Sequence, residues 1–179
     1  MINRLCIIGV GLIGSSLSLA LKQAGAVGEV VGYGRNRANL EKGIELGVLD
    51  RYETSIAAAV KDADMVVIAV PLGAMQAVLA ELAGSVDKNA VITDGGSAKA
   101  AVVRAAQAEL GALMPRFVPG HPIAGTEKSG VEAGFLQIFD HEVAVHLAVD
   151  GSFQHATRNV TDTTENLSGF RIVRPLGNT

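Results

Sequence analysis

Leu5-Cys6-Ile7-Ile8-Gly9-Val10-Gly11-Leu12-Ile13-Gly14 joins a run of four apolar residues to three glycines spaced GxGxxG. The run reads as a short buried strand. From Leu12 to Ala24, Leu, Ile and Ala recur at helical spacing until Gly25, so the glycines sit where a strand turns into a helix. In that context each glycine has its own task. Gly9 permits the tight turn, Gly11 lets the backbone approach a pyrophosphate, and Gly14 lets the helix pack against the strand. The helix N-terminus adds N–H donors and a partial positive charge. Gly9, Gly11, Leu12, Ile13 and Gly14 are therefore candidate binding residues for a dinucleotide, NAD or NADP.

Working outward, Glu29–Tyr33 reads as a second strand and Arg37–Leu46 as a helix, which completes a βαβ unit of about 30 residues. Thr54–Lys61 is helical in composition. Asp64–Val70 is a nearly unbroken apolar strand that Pro71 terminates, the pattern of a strand buried on both faces. A helix over Gly73–Ala83, a strand over Ala90–Thr93, a helix over Ala98–Leu110 and a short strand over Arg116–Val118 follow. Strand and helix alternate throughout, which predicts an α/β fold: a Rossmann-type, doubly wound, mostly parallel sheet with helices on both faces. That domain is expected over residues 1–139. Residues 140–179 are expected to hold one last strand, Glu142–Val149, and a polar tail without a clear period.

Composition agrees with this. Apolar residues make up 49% of the 179 and aromatic residues only 4%, so the core is built from Val, Ile, Leu and Ala. The formal net charge is −3 and no dense Lys/Arg cluster exists, which argues against nucleic acid as a partner. No stretch reaches the ~18 uninterrupted apolar residues of a membrane span. No secretory leader precedes the first strand, so a soluble, cytoplasmic protein is expected. Cys6, the one cysteine, lies inside an apolar run and reads as a buried, inert thiol. His141, His146 and His155 show no metal-ligand spacing, and no metal site is expected.

An acidic residue about 20 positions after the glycine loop ordinarily accepts hydrogen bonds from the adenosine ribose. Here Tyr33-Gly34-Arg35-Asn36 occupies that place. Without a carboxylate a 2′-phosphate is not repelled, and Arg35 can pair with it or stack on the adenine ring. NADP by pairing and NAD by stacking both remain open, with Gly34 and Arg35 as the candidate contacts. Val70-Pro71-Leu72 closes a strand at the carboxyl edge, where ligands of open α/β sheets lie, and is expected to offer backbone contact to the cofactor.

Two further segments reach the same edge. Thr93-Asp94-Gly95-Gly96-Ser97-Ala98-Lys99 ends a strand and begins a helix, which makes Ser97 either an N-cap or a hydrogen-bond partner of the substrate. Gly120-His121-Pro122-Ile123-Ala124-Gly125-Thr126-Glu127-Lys128-Ser129-Gly130 follows the next strand. An imidazole titrates near neutral pH and can take a proton from a hydroxyl as hydride leaves, so His121 suits alcohol oxidation.

The His-Pro-Ile-Ala-Gly run, the Asp-Gly-Gly-Ser-Ala-Lys segment and the Gly-Val-Gly-Leu-Ile-Gly-Ser start, in this order, resemble the prephenate and arogenate dehydrogenases of tyrosine biosynthesis over about residues 4 to 139. The resemblance implies that His121 is the catalytic hydrogen-bond partner of the ring hydroxyl of a small-molecule substrate. It implies too that Ser97 orients this histidine and the substrate, and that Thr126 and Glu127 line the substrate pocket. The implied reaction moves hydride from the hydroxyl-bearing ring carbon to the nicotinamide, releases the ring carboxylate as CO2 and leaves an aromatic ring.

Members of that family continue into a helical domain that makes the dimer and binds the substrate carboxylates. Residues 140–179 are too few for it, so the chain is expected to be truncated or to carry a replaced tail. Cofactor binding without appreciable turnover is expected of it alone, and a homodimer only where the helical domain is present. Two other readings share the glycine loop: a β-hydroxyacid-type dehydrogenase, for which no catalytic lysine is identifiable in the tail, and a non-catalytic nucleotide-binding module.

Overall fold

The computed structural model describes residues 1–120 and 130–131. The alternation becomes β1 (Ile2–Ile8), α1 (Leu12–Gln23), β2 (Val27–Tyr33), α2 (Arg37–Glu45), β3 (Arg51–Glu53), α3 (Ile56–Ala59), β4 (Met65–Ile68), α4 (Leu72–Ala83), β5 (Val91–Asp94), α5 (Lys99–Glu109) and β6 (Phe117–Val118). A 3-10 turn, Gly111–Arg116, precedes β6. The strands form one sheet in the order β3-β2-β1-β4-β5-β6, and every neighbouring pair is parallel. This is the doubly wound Rossmann arrangement, whose strand order reverses between β1 and β4.

The period of two along the strands separates the core into two layers. Leu5 and Ile7 of β1, Val30 of β2, and Met65 and Val67 of β4 pack against Leu17 and Leu21 of α1 and Leu40 of α2. Their neighbours Cys6, Ile8, Val31, Val66 and Ile68 face the other way, onto α3, α4 and α5 through Ile56, Leu79, Leu82, Val102 and Ala106. All ten of these strand residues are buried, which is why the strands read as continuous apolar runs.

Several boundaries differ from the sequence reading. β1 begins at Ile2 and β2 at Val27, while the third long strand stops at Ile68, two residues before Val70. The helix expected over 54–61 shrinks to Ile56–Ala59, where the Ser55 side chain accepts the Ala58 N–H at 3.3 Å. β3 has no apolar run to announce it, because it is a three-residue edge strand with every residue half-buried. Tertiary pairing holds it: Val31 lies beside Arg51, and the Arg51 guanidinium donates to Glu29 at 2.9 Å. Glu29 also accepts from Arg4. Partial burial pushes the Glu29 carboxyl up, but hydrogen bonds from Arg51 and Arg4 outweigh it and hold the group below its ordinary value. The expected strand at Glu142–Val149, and His141, His146 and His155, lie outside the described residues.

Cys6 sits at the centre of the sheet with no exposed surface. Burial pushes its thiol up to about 12, so the reactive thiolate is not formed at physiological pH. The native chain is expected to resist a thiol reagent at pH ~8 and to react within minutes once unfolded in guanidinium. Rapid labelling of the native chain would contradict this burial.

Candidate dinucleotide site at the carboxyl edge

The glycine loop leaves β1 beside β4, at the switch point of the sheet. Two of its glycines are required by the chain itself. Gly9 has φ +98°, and a Cβ there would stand 2.4 Å from the Ala69 carbonyl oxygen. A Cβ on Gly14 would lie 2.5 Å from the Gly9 oxygen and 2.8 Å from Ile7 Cγ2, so its absence lets α1 rest on β1. Gly11 differs. A Cβ there would meet nothing within 4 Å, and its φ of −106° is open to any residue. Among the described residues nothing requires a glycine at position 11. A glycine there leaves the backbone open to close approach.

Gly11 is also the N-cap of α1, where no side chain caps the helix and no acidic residue occupies the first turn. The first intrahelical bond runs from the Ser15 N–H to the Gly11 oxygen at 2.9 Å. The donors ahead of it, on Leu12, Ile13 and Gly14, form the electropositive end of the helix. These residues fit a pyrophosphate.

At the carboxyl ends of β2 and β3 a cleft of about 200 Å³ is lined by Tyr33, Gly34, Arg35, Arg37, Tyr52 and Glu53, among others. Its carboxylate, Glu53, is paired with Arg51, and Arg37 donates to Glu41 at 2.9 Å. Arg35 is exposed and has no ion pair or hydrogen bond to another described residue, which leaves its guanidinium available. Val70, Pro71 and Leu72 lie past the end of β4. Val70 is half-buried against the glycine loop, its Cγ1 3.0 Å from where a Gly9 Cβ would be, Pro71 caps α4, and Leu72 is 49% exposed.

Ser97 stands in the β5–α5 loop at the same edge, exposed. It is not the N-cap: α5 begins at Lys99, Ala98 takes the cap position, and no side-chain cap bond forms. The Ser97 hydroxyl is thus not committed to the helix. His121, Thr126 and Glu127 lie outside the described residues; the last described residue before them, Gly120, is buried two positions after the end of β6.

Two polar clusters escaped the sequence reading. The Asp94 side chain, 0% exposed at the end of β5, accepts from the Gly96 N–H at 2.8 Å, from the Gly120 N–H at 3.2 Å and from Lys99. Burial pulls the Lys99 ammonium below its ordinary value, and Asp94 pulls it back. Asn39, in the first turn of α2, donates to the Val10 carbonyl at 2.7 Å and accepts from the Val131 N–H at 2.9 Å. Asp94 carried a signal, a carboxylate closing an apolar strand. Asn39 carried none, since its partners stand 29 and 92 residues away. Among the described residues no group of three or more His, Cys, Asp or Glu can hold a metal, and no helix is long and apolar enough to cross a membrane.

Comparison with known proteins converges on one family. Residues 17–167 match the family model described as prephenate dehydrogenase, nucleotide-binding domain. The cyclohexadienyl dehydrogenase of Zymomonas mobilis is 37% identical over 142 residues, which are 79% of this chain and 48% of that protein. The crystal structure of the A. aeolicus prephenate dehydrogenase in complex with hydroxyphenyl propionate and NAD+ superposes with a TM-score of 0.73. It is 34% identical, over 79% of this chain and 49% of that one. The Synechocystis arogenate dehydrogenase superposes with a TM-score of 0.68 at 26% identity, over 76% of this chain and 46% of that one. The chain thus spans about half the length of these relatives. Shared sequence and shared topology together establish that it belongs to the prephenate dehydrogenase family, matching its nucleotide-binding domain.

Proposed function

We propose that this chain is the cofactor-binding part of a cytoplasmic oxidoreductase that oxidatively decarboxylates prephenate or arogenate, with NAD or NADP as oxidant. The observation that carries the reading is the unexplained Gly11 beside an uncapped helix N-terminus at the switch point of the sheet. Gly9, Gly11, Leu12, Ile13 and Gly14 hold the pyrophosphate, Gly34 and Arg35 meet the adenosine end, and Val70, Pro71 and Leu72 flank the cofactor beyond β4. The nicotinamide supplies a hydride acceptor. His121, as neutral imidazole, takes the proton of the substrate's ring hydroxyl, Ser97 orients both, and Thr126 and Glu127 line the pocket. Oxidation of that carbon lets the ring carboxylate leave as CO2, and the electron pair left behind completes the aromatic ring.

The direct test is titration of the purified chain with NAD and NADP, then assay of reduced-cofactor formation with prephenate and with arogenate. Binding with little turnover is expected of this chain alone. Joined to the remaining length of a relative, it is expected to turn over, and His121→Asn to lower kcat by about 100-fold or more with cofactor affinity intact. Absence of dinucleotide binding would end the proposal, and full activity of His121→Asn would remove the histidine from it.

Arg35, which has no partner among the described residues, and the missing carboxylate after β2 admit a 2′-phosphate. Arg35→Ala is expected to weaken NADP binding about 10-fold and NAD binding less. Equal losses for the two cofactors, measured by calorimetry, would instead mark Arg35 as a stacking residue.

A further inference from the structure

Asn39, half-buried in the first turn of α2, is committed through both its backbone and its side chain. Its backbone N–H donates to the Asn36 side chain at 3.2 Å, the bond that caps the helix. Its side chain accepts the Val131 N–H at 2.9 Å and donates to the Val10 carbonyl at 2.7 Å. An amide has one oxygen and one nitrogen, so the first of these side-chain bonds settles the second: with Oδ1 given to an N–H, Nδ2 faces Val10. Gly130 lets the chain come this close, since its backbone lies at φ +85° and a Cβ on it would stand 3.4 Å from Asn39 Oδ1. Val10, Leu40 and Val131 are buried in the same layer of the core.

Val10 stands between Gly9 and Gly11, and its peptide bond to Gly11 is trans, like every other among the described residues. In a trans peptide the C=O and the N–H point opposite ways. A Val10 carbonyl drawn toward α2 therefore turns the Gly11 N–H away from α2, and among the described residues that N–H meets no backbone carbonyl. Glycines on both sides leave this peptide few steric restraints of its own, so without the Asn39 bond the loop samples other orientations and a ligand has to order it on binding. The helix that supplies the bond opens directly after Gly34, Arg35 and Asn36, the residues at the adenosine end of the cleft. We infer that Asn39 is a positioning residue for the dinucleotide: it fixes the Val10–Gly11 peptide so that the glycine loop presents its donors to the pyrophosphate, and it holds that loop in place relative to the adenosine end. The inference rests on the proposed pyrophosphate site.

The test is calorimetric titration of the chain with NAD at pH ~8 and pH ~5, each protein held below its own unfolding midpoint. Asn39→Ala is expected to weaken binding about 10-fold at both pH values, the worth of one well-placed hydrogen bond. Asn39→Asp keeps the size of the side chain and the oxygen that accepts from Val131, and replaces only the donor to Val10. At pH ~8 it is expected to bind at least as weakly as Asn39→Ala, because a carboxylate oxygen then faces the Val10 carbonyl. At pH ~5 a protonated carboxyl can donate to Val10 again, and the gap to the parent is expected to narrow by about 3-fold or more. The partners of the Asn39 side chain, Val10 and Val131, carry no titratable group, so that recovery belongs to the introduced carboxyl. Leu79→Ala, buried in the opposite layer of the core, is the control for lost stability and should bind NAD as the parent does. Parent-like binding by Asn39→Ala would overturn the inference and leave charge repulsion to explain any loss in Asn39→Asp. An unchanged gap for Asn39→Asp at the two pH values, or an equal loss in Leu79→Ala, would overturn it as well. A parent chain that binds no dinucleotide would overturn the functional reading and this inference together, whereas the other failures leave that reading standing.

Discussion

Gly11→Ala is expected to leave the thermal midpoint within ~2 °C of the parent and to weaken dinucleotide binding about 100-fold, while Gly9→Ala lowers the midpoint by roughly 10 °C. The contrast follows from what a Cβ meets at each position. At Gly9 it meets the Ala69 carbonyl at 2.4 Å, and the backbone there has φ +98°. Left-handed strain costs about 1–2 kcal/mol, and crowding against backbone that cannot yield adds a similar amount. At Gly11 the described residues offer no clash and the backbone no strain, so the folded state is expected to accept alanine. The cost appears only with a pyrophosphate at the N-terminus of α1, where a methyl group displaces the phosphate oxygens from the helix donors. Unfolding midpoints and NAD titrations on the two variants decide the matter. Equal affinity for parent and Gly11→Ala would mean that the pyrophosphate lies elsewhere.

Lys99→Met is expected to destabilise the chain by about 3 kcal/mol, the range for removing one partner of a buried ion pair. Asp94 is 0% exposed and Lys99 9%, so water cannot replace the lost cation. The Gly96 and Gly120 N–H groups still solvate the carboxylate, which keeps the loss at the low end of that range. The double variant Asp94→Asn/Lys99→Met removes both charges and is expected to be more stable than Lys99→Met alone, with a coupling of about 1–2 kcal/mol in the cycle. Denaturant unfolding of the four proteins measures it. A Lys99→Met loss under ~0.5 kcal/mol would show the pair to be solvated like a surface pair.

Much of this protein was legible in its residues because the determining signals are local. Four apolar residues, a GxGxxG turn and a 3.6-residue period fix strand, turn and helix within one stretch of chain, and repetition of that unit specifies a parallel sheet covered on both faces. The inertness of Cys6 follows from the same reading, since a residue inside a doubly buried strand has no route to solvent. Where the sequence reading slipped, the signal was non-local or one-sided. β3 is an edge strand without an apolar run, stabilised by β2 and by Glu29, and of the two roles open to Ser97 the structure removes the helix cap, since the helix starts two residues later.

The sequence by itself determined the doubly wound fold, the glycine loop at its switch point and the residues proposed for chemistry, because strand-to-helix turns and hydrophobic periods are written in neighbouring positions. Only the tertiary structure decided that Gly11, alone of the three loop glycines, would bring a Cβ within 4 Å of none of the described residues. It alone showed Arg35 without a carboxylate partner among the described residues, and Asp94 and Asn39 reaching 26 and 92 residues along the chain to hold Gly120 and Val131. Those facts depend on which side chains meet after the sheet has closed, and neighbouring positions in the chain carry no record of such meetings.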